Sequence, residues 1–283
     1  MGSPASVIVF HHGLILPGNL RVGPATLGSF VGIDRLCIER GYAPILTQVH
    51  PTASVRRRAA QLKRAIVGQV DALGPTAARD GRIVIVAHSM GGLDARHMIA
   101  HLGMSDRVAA LVTLSTPHRG SAYADWFFGH LNRFGAMRLL RSIGLDVGAA
   151  KDLTTDRCEA FNQRTPDVPG VRYYSISAAR PLRSLSPLLM PSFLIVRKAE
   201  GANDGLVSVR SARWGKHLGT WPVDHLHLLN RRFTIELLTR RGDVRPRYVK
   251  VFEQLERDGV LKAGKKQVIA NTQRRQGEKG IRG

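Results

Sequence analysis

The chain has 283 residues, of which 43% are hydrophobic, enough for one domain with a large core. Lysine and arginine total 42 against 21 acidic residues, a net charge of +21, which bears on partners and solubility rather than on fold. The two cysteines form no metal or redox motif, and no segment is long and apolar enough to span a bilayer.

In chain order, Val7-Ile8-Val9-Phe10 reads as a first buried strand, running into His11-His12-Gly13-Leu14. A helix from about Phe30 to Arg40 puts Phe30, Ile33 and Cys37 on one face, and Gly41 stops it. A strand is expected at Pro44–Val49. A helix from Ser54 to Ala72 follows, with Val55, Leu62, Ile66 and Val70 on one stripe and Arg56, Arg57, Arg58, Lys63 and Arg64 mainly elsewhere. Arg82–Val86 is the next strand, and Leu93, His97 and Ala100 then recur at helical spacing. Further strands are predicted at Val108–Leu114 and Val171–Ile176. Pro246 to Asp258 is a last amphipathic helix with Val249, Phe252 and Leu255 inward, ended by Gly259. Strand and helix alternate, which implies a mostly parallel sheet covered on both faces.

Chemistry concentrates at the turn after the 82–86 strand. Ala87-His88-Ser89-Met90-Gly91 is a G-x-S-x-G-like turn with alanine in the first glycine's place. A serine there is forced onto a tight strand-to-helix bend with its hydroxyl exposed, and the next N–H points at a reacting carbonyl. An acid and a base follow in the order such a triad requires. Asp204 lies in an Asn-Asp-Gly turn ahead of a short apolar strand, and His225 lies in a loop ahead of a helix. Leu14, just past His12-Gly13, and Met90 are the candidate oxyanion-hole N–H donors, each such donor being worth about 3 kcal/mol of barrier. The paired histidines 11 and 12 have no ligand cluster at metal spacing beside them, so no metal or other cofactor is expected.

The blocks His12-Gly13-Leu14, Ala87–Leu93, Ser115-Thr116-Pro117-His118-Arg119-Gly120-Ser121, Asn203-Asp204-Gly205-Leu206-Val207 and Asp224-His225-Leu226 together resemble the α/β-hydrolase lipases, both bacterial true lipases and fungal mitochondrial triacylglycerol lipases. The resemblance spans residues 7 to about 240. It implies an α/β-hydrolase fold, Ser89, Asp204 and His225 as triad, and Leu14 and Met90 as oxyanion donors. It also implies a helical lid or cap over residues 122–160, in which Trp126, Phe127, Phe128 and Leu131 build an apolar acyl pocket.

The chain departs from that pattern in one respect. Bacterial true lipases hold a structural calcium with an aspartate two residues after the catalytic histidine, where this chain has His227, a poor ligand for a hard cation. Residues 180–186 offer no carboxylate. No calcium site is expected, and His227 becomes a rival to His225 as base.

One α/β-hydrolase domain over residues 1–260 is expected, followed by a basic, disordered tail over 261–283. The first strand begins too early to leave room for a secretory leader, so an intracellular enzyme is expected, cytoplasmic or in peripheral contact with an anionic membrane. No nucleic-acid motif with interleaved aromatics accompanies the charge. The expected activity is hydrolysis of acylglycerols or similar lipid esters through an acyl-enzyme. A phospholipase, thioesterase or acyltransferase would use the same triad, and a non-catalytic lipid- or protein-binding module is the alternative of another class.

Overall fold

A computed structural model describes residues 6–14, 19–22, 25–72, 83–133, 148–231 and 242–262. Six strands form one sheet: β1 (Val7–His11), β4 (Ala43–Leu46), β5 (Ile83–His88), β6 (Val108–Leu114), β7 (Arg172–Ala178) and β8 (Lys216–Trp221). Their order is β4-β1-β5-β6-β7-β8, and every neighbouring pair is parallel. A separate antiparallel hairpin joins β2 (Asn19–Val22) to β3 (Ala25–Gly28).

The central strands are apolar without a break because both sheet faces are covered. Side chains alternate between two cores with the strand period of two. Ile8, Phe10, Val84, Val86, Val112 and Leu114 face one layer. Val7, Val9, Ile83, Ile85, Ala87 and Leu111 face the other. The first layer is closed by α1 (Ile33–Glu39) and α9 (Arg245–Arg257), through Ile33, Cys37, Tyr248, Phe252 and Leu255. The second is closed by α2 (Val55–Ala72) and α3 (Gly91–His101), through Ala59, Leu62, Ile66, Met98 and Ile99. Each fully buried Leu or Ile of this kind contributes roughly 1.5–3 kcal/mol.

Several expected boundaries shift for identifiable reasons. Phe30 is buried but has φ 61°, and Gly32 follows with φ 71°, so α1 starts only at Ile33. The strand expected at Pro44–Val49 is β4, which ends at Leu46, where the Thr47 N–H turns to the Phe10 carbonyl. In α9 the buried stripe is Tyr248, Val251, Phe252 and Leu255, while Val249 is half-buried. The strand expected after Asp204 is instead a tight turn closed by a bridge from Asn203 to Ser208, then the one-turn helix α8 (Val209–Ala212). Cys37 and Cys158 are buried and unpaired with each other.

The remaining helices are α4 (Ala122–Arg133), α5 (Gly148–Asp152), α6 (Thr155–Arg164) and α7 (Met190–Glu200). Of the residues 122–160 expected to form a lid, those described fall largely in α4, α5 and the first half of α6. Residues 134–147 of it lie outside the described residues, as do residues 263–283 of the expected tail.

Candidate active site

β5 ends at His88, and Ser89 takes φ 55°, a left-handed conformation that a residue with a side chain seldom adopts. Such strain costs on the order of 1–3 kcal/mol and persists only where neighbours over-determine it. Here the Ser89 N–H donates to the Leu114 carbonyl at 2.9 Å, and its own carbonyl accepts from Thr116 Oγ1 at 2.7 Å and from the Gly92 N–H at 3.0 Å. Close packing completes the bend. A Cβ on Gly13 would stand 2.6 Å from Ser89 Cβ, and one on Gly92 would run into the Thr116 side chain.

The three residues singled out as a triad come together. His225 Nε2 lies 2.9 Å from Ser89 Oγ, and His225 Nδ1 lies 2.8 Å from Asp204 Oδ2. Asp204 is fully buried, and its second oxygen accepts from the N–H groups of Leu206 at 3.0 Å and Val207 at 2.8 Å. That turn leaves Oδ2 alone to face the imidazole, which fixes the proton on Nδ1 and presents a bare Nε2 to the serine.

The His225 turn is pinned from both sides. Asp224 Oδ1 accepts from the N–H groups of Leu226 and His227, and its Oδ2 accepts from Ser186. The His225 carbonyl sits 2.9 Å from His88 Nε2. Burial, then the neighbouring His225, drives the His88 pKa well down, so His88 is neutral and donates Nε2–H to that carbonyl. His227, the rival base, is directed elsewhere: its Nδ1 stands 3.1 Å from a guanidinium nitrogen of Arg180. Among the described residues no group of three metal-ligating side chains converges, at His227 or at the histidine pair.

Leu14 is half-buried and packs against a small apolar cluster of which Met90 is a member. Met90 leads straight into α3, whose N-terminal end carries partial positive charge.

Beneath this loop lies a feature that the sequence did not disclose. Arg58 was expected off the apolar stripe of α2, yet it is completely buried on it. Its Nε donates to Asp94 Oδ2 at 2.8 Å, and its other nitrogens donate to the carbonyls of His12 at 2.7 Å and His50 at 2.8 Å. His11 joins with Nε2 at 3.0 Å from the same Asp94 oxygen and Nδ1 at 2.8 Å from Thr47 Oγ1. Burial outweighs the carboxylate and lowers the His11 pKa, so this is one Arg–Asp ion pair with a neutral imidazole attached. His12 is likewise pushed down to about 4, chiefly by burial. The missed signal was spacing: Val55, Arg58 and Leu62 follow the three-four helical step, and only the charge of Arg58 argued for solvent.

Of the expected pocket residues, Trp126 is 43% exposed, while Phe127 and Phe128 are half-buried on α4. Tyr123 stacks on Trp126, and Trp126 meets His130. The side chain of Leu131 lies outside the described residues.

Residues 50–137, which include Ser89, match the model of the PGAP1-like alpha/beta domain. Triacylglycerol lipase 2 of Saccharomyces cerevisiae is 29% identical over 243 residues, covering 81% of this chain and 74% of the yeast protein. Among solved structures, a metagenomic carboxyl esterase superposes with a TM-score of 0.71 at 24% identity, covering 90% of this chain and 77% of its own. The mature lipase BlEst2 of Bacillus licheniformis does so with a TM-score of 0.63 at 21% identity, covering 85% and 93%.

Proposed function

We propose that this chain, a serine hydrolase of the α/β-hydrolase lipase family, cleaves acylglycerols or similar lipid esters with Ser89 as nucleophile, His225 as base and Asp204 as the acid that orients it. The reading is carried by one observation, the unbroken hydrogen-bonded run from Ser89 Oγ through His225 to Asp204 at 2.9 and 2.8 Å. As the hydroxyl attacks the ester carbonyl, Nε2 takes its proton, and the imidazolium is steadied by the buried carboxylate. The N–H groups of Leu14 and Met90 receive the oxyanion. The imidazolium returns its proton to the leaving alcohol, and a water activated by the same nitrogen then releases the acid.

A lipid acyl chain is favoured over a small polar acid because the helix read as the cover is aromatic: Trp126, Phe127 and Phe128 all lie on α4. Contact with an anionic lipid surface is supported by the net charge of +21 and by Leu182, Leu188 and Leu194, which are 38–77% exposed near the loops carrying Asp204 and His225. No helix among the described residues is long and apolar enough to cross a membrane. Residues 1–260 are read as the catalytic unit, with the cap at 122–160.

The test is hydrolysis of nitrophenyl esters of graded chain length, together with labelling by a fluorophosphonate. The native protein is expected to label and to turn over the longer esters, and Ser89→Ala to do neither. Equal rates in the two proteins would remove Ser89 as nucleophile, and an unlabelled native protein would favour a binding module.

A further inference from the structure

A cleft of about 410 Å³ opens on the helical layer, between the start of α2, the second half of α3, and α5 and α6. It holds none of the residues assigned above to ester cleavage. Arg56 enters it from α2, His97 and His101 from α3, and Arg157 and Arg164 from α6. Among the described residues five basic side chains thus line one concave surface, and Asp152 is the single carboxylate with them.

That carboxylate is occupied. Its Oδ2 accepts from the Val55 N–H at 2.8 Å, and burial shifts its pKa up against the opposing pull of that hydrogen bond and of Arg157. Among the described residues, Arg56, Arg157 and Arg164 make no ion pair. Arg35, Arg40, Arg107 and Arg245, by contrast, each have an acidic partner within 4 Å. The two histidines are packed ring to ring at 4.7 Å, and His101 is oriented by Thr165 Oγ1 at 3.2 Å. After burial, His101 and Arg56 are the neighbours that press His97 toward its neutral form, as expected where positive groups crowd together. Phe161 gives the cleft an apolar wall.

Three guanidinium groups lining one cavity against a single described carboxylate leave a surplus of positive charge, and a tetrahedral oxyanion relieves their mutual repulsion. Arginine forks match phosphate oxygens in pairs, and imidazoles supply further donors. We propose that this cleft binds a phosphate ester through Arg56, Arg157 and Arg164, with His97 and His101 as additional donors and the organic part of the ligand against Phe161. Both a soluble phosphomonoester and a phospholipid headgroup present this chemistry.

The experiment uses the full chain and two double variants that remove equal charge. Arg157→Gln with Arg164→Gln empties the cleft of two cations, and Arg35→Gln with Arg257→Gln removes two exposed cations elsewhere. Binding of inorganic phosphate and glycerol 3-phosphate is followed by calorimetry, and binding to phosphatidylglycerol vesicles, against phosphatidylcholine, by co-sedimentation. Ester hydrolysis within about twofold of native shows that each variant is folded. The single variant Arg157→Gln takes the place of the cleft double should that fail to fold. The cleft variant is expected to bind at least about tenfold more weakly, as fits the loss of charge-assisted hydrogen bonds, with the control near native. That loss with the soluble phosphates identifies a free ester as ligand, and the same loss confined to vesicles identifies a lipid headgroup. Absence of binding to every probe, or equal weakening in both variants, overturns the proposal.

Discussion

Arg58 brings a full charge to a place from which water is excluded, and its neighbours determine what that charge does. An isolated buried guanidinium would be severely destabilising, but this one meets a carboxylate and two carbonyls at 2.7–2.8 Å. One of those carbonyls belongs to His12, two residues before Leu14, so the ion pair also sets the backbone that would meet the oxyanion. Removing one partner leaves the other buried and uncompensated, which costs roughly 3–5 kcal/mol. Arg58→Met and Asp94→Asn are each expected to lower the unfolding free energy measured by urea titration by an amount of that order. The double variant should be distinctly more stable than the sum of the two losses predicts, because neither charge then stands alone. Strict additivity in the double-mutant cycle would mean that the pair is not energetically coupled.

At the scale of elements, the strand-to-helix bend at Ser89 depends on close approach between segments distant in sequence. α3 can start against the end of β6 only because Gly92 has no side chain where Thr116 stands. Gly92→Ala would displace Thr116, whose hydroxyl donates to the Ser89 carbonyl at 2.7 Å. The substitution is expected to destabilise by about 1–3 kcal/mol, in the range for overpacking, and to reduce ester turnover by loosening the serine. Native thermal stability together with native turnover in Gly92→Ala would show that the bend tolerates the added carbon. Such local geometry is what a sequence discloses well: an apolar run, small residues around a serine, and a helical period fix the bend and its place. β8 was not legible, because Lys-His-Leu-Gly-Thr-Trp at the sheet edge has no alternation to mark it as a strand. The turn holding Asp204 was legible as a turn, but its return to Ser208 depends on a bridge that no periodicity announces. Arg58 and Asp94 stayed hidden for a third reason. The helical spacing of Arg58 placed it on the buried stripe, but its charge argued for solvent, and only the pairing with Asp94 makes that burial tolerable.

Across the whole molecule, burial keeps several histidines neutral, and this makes the fold sensitive to acid. The pKa values of His11, His12, His88 and His118 are all lowered, with desolvation the largest cause in each case. A group whose folded pKa lies below its unfolded value binds fewer protons when folded. Its stabilising contribution is therefore complete above the unfolded pKa and is lost as pH falls toward the folded one. For His12 that window runs from 6.5 down to about 4, and for the other three it opens at the same upper edge. Going from neutral pH to about 5.5, His12 alone forfeits roughly 1 kcal/mol, and the other three add to that loss in the same direction, against a total that in most domains is only about 5–15 kcal/mol. Urea midpoints measured at pH 7.5, 6.5 and 5.5 should fall most steeply over the last unit. The net charge of +21 works in the same direction, because each added proton joins a surplus of positive charge. High salt should soften only this second contribution, since buried groups are screened far less than exposed ones. A midpoint that holds steady to pH 5.5 at low salt would mean that these imidazoles reach water or a counter-charge in the folded state.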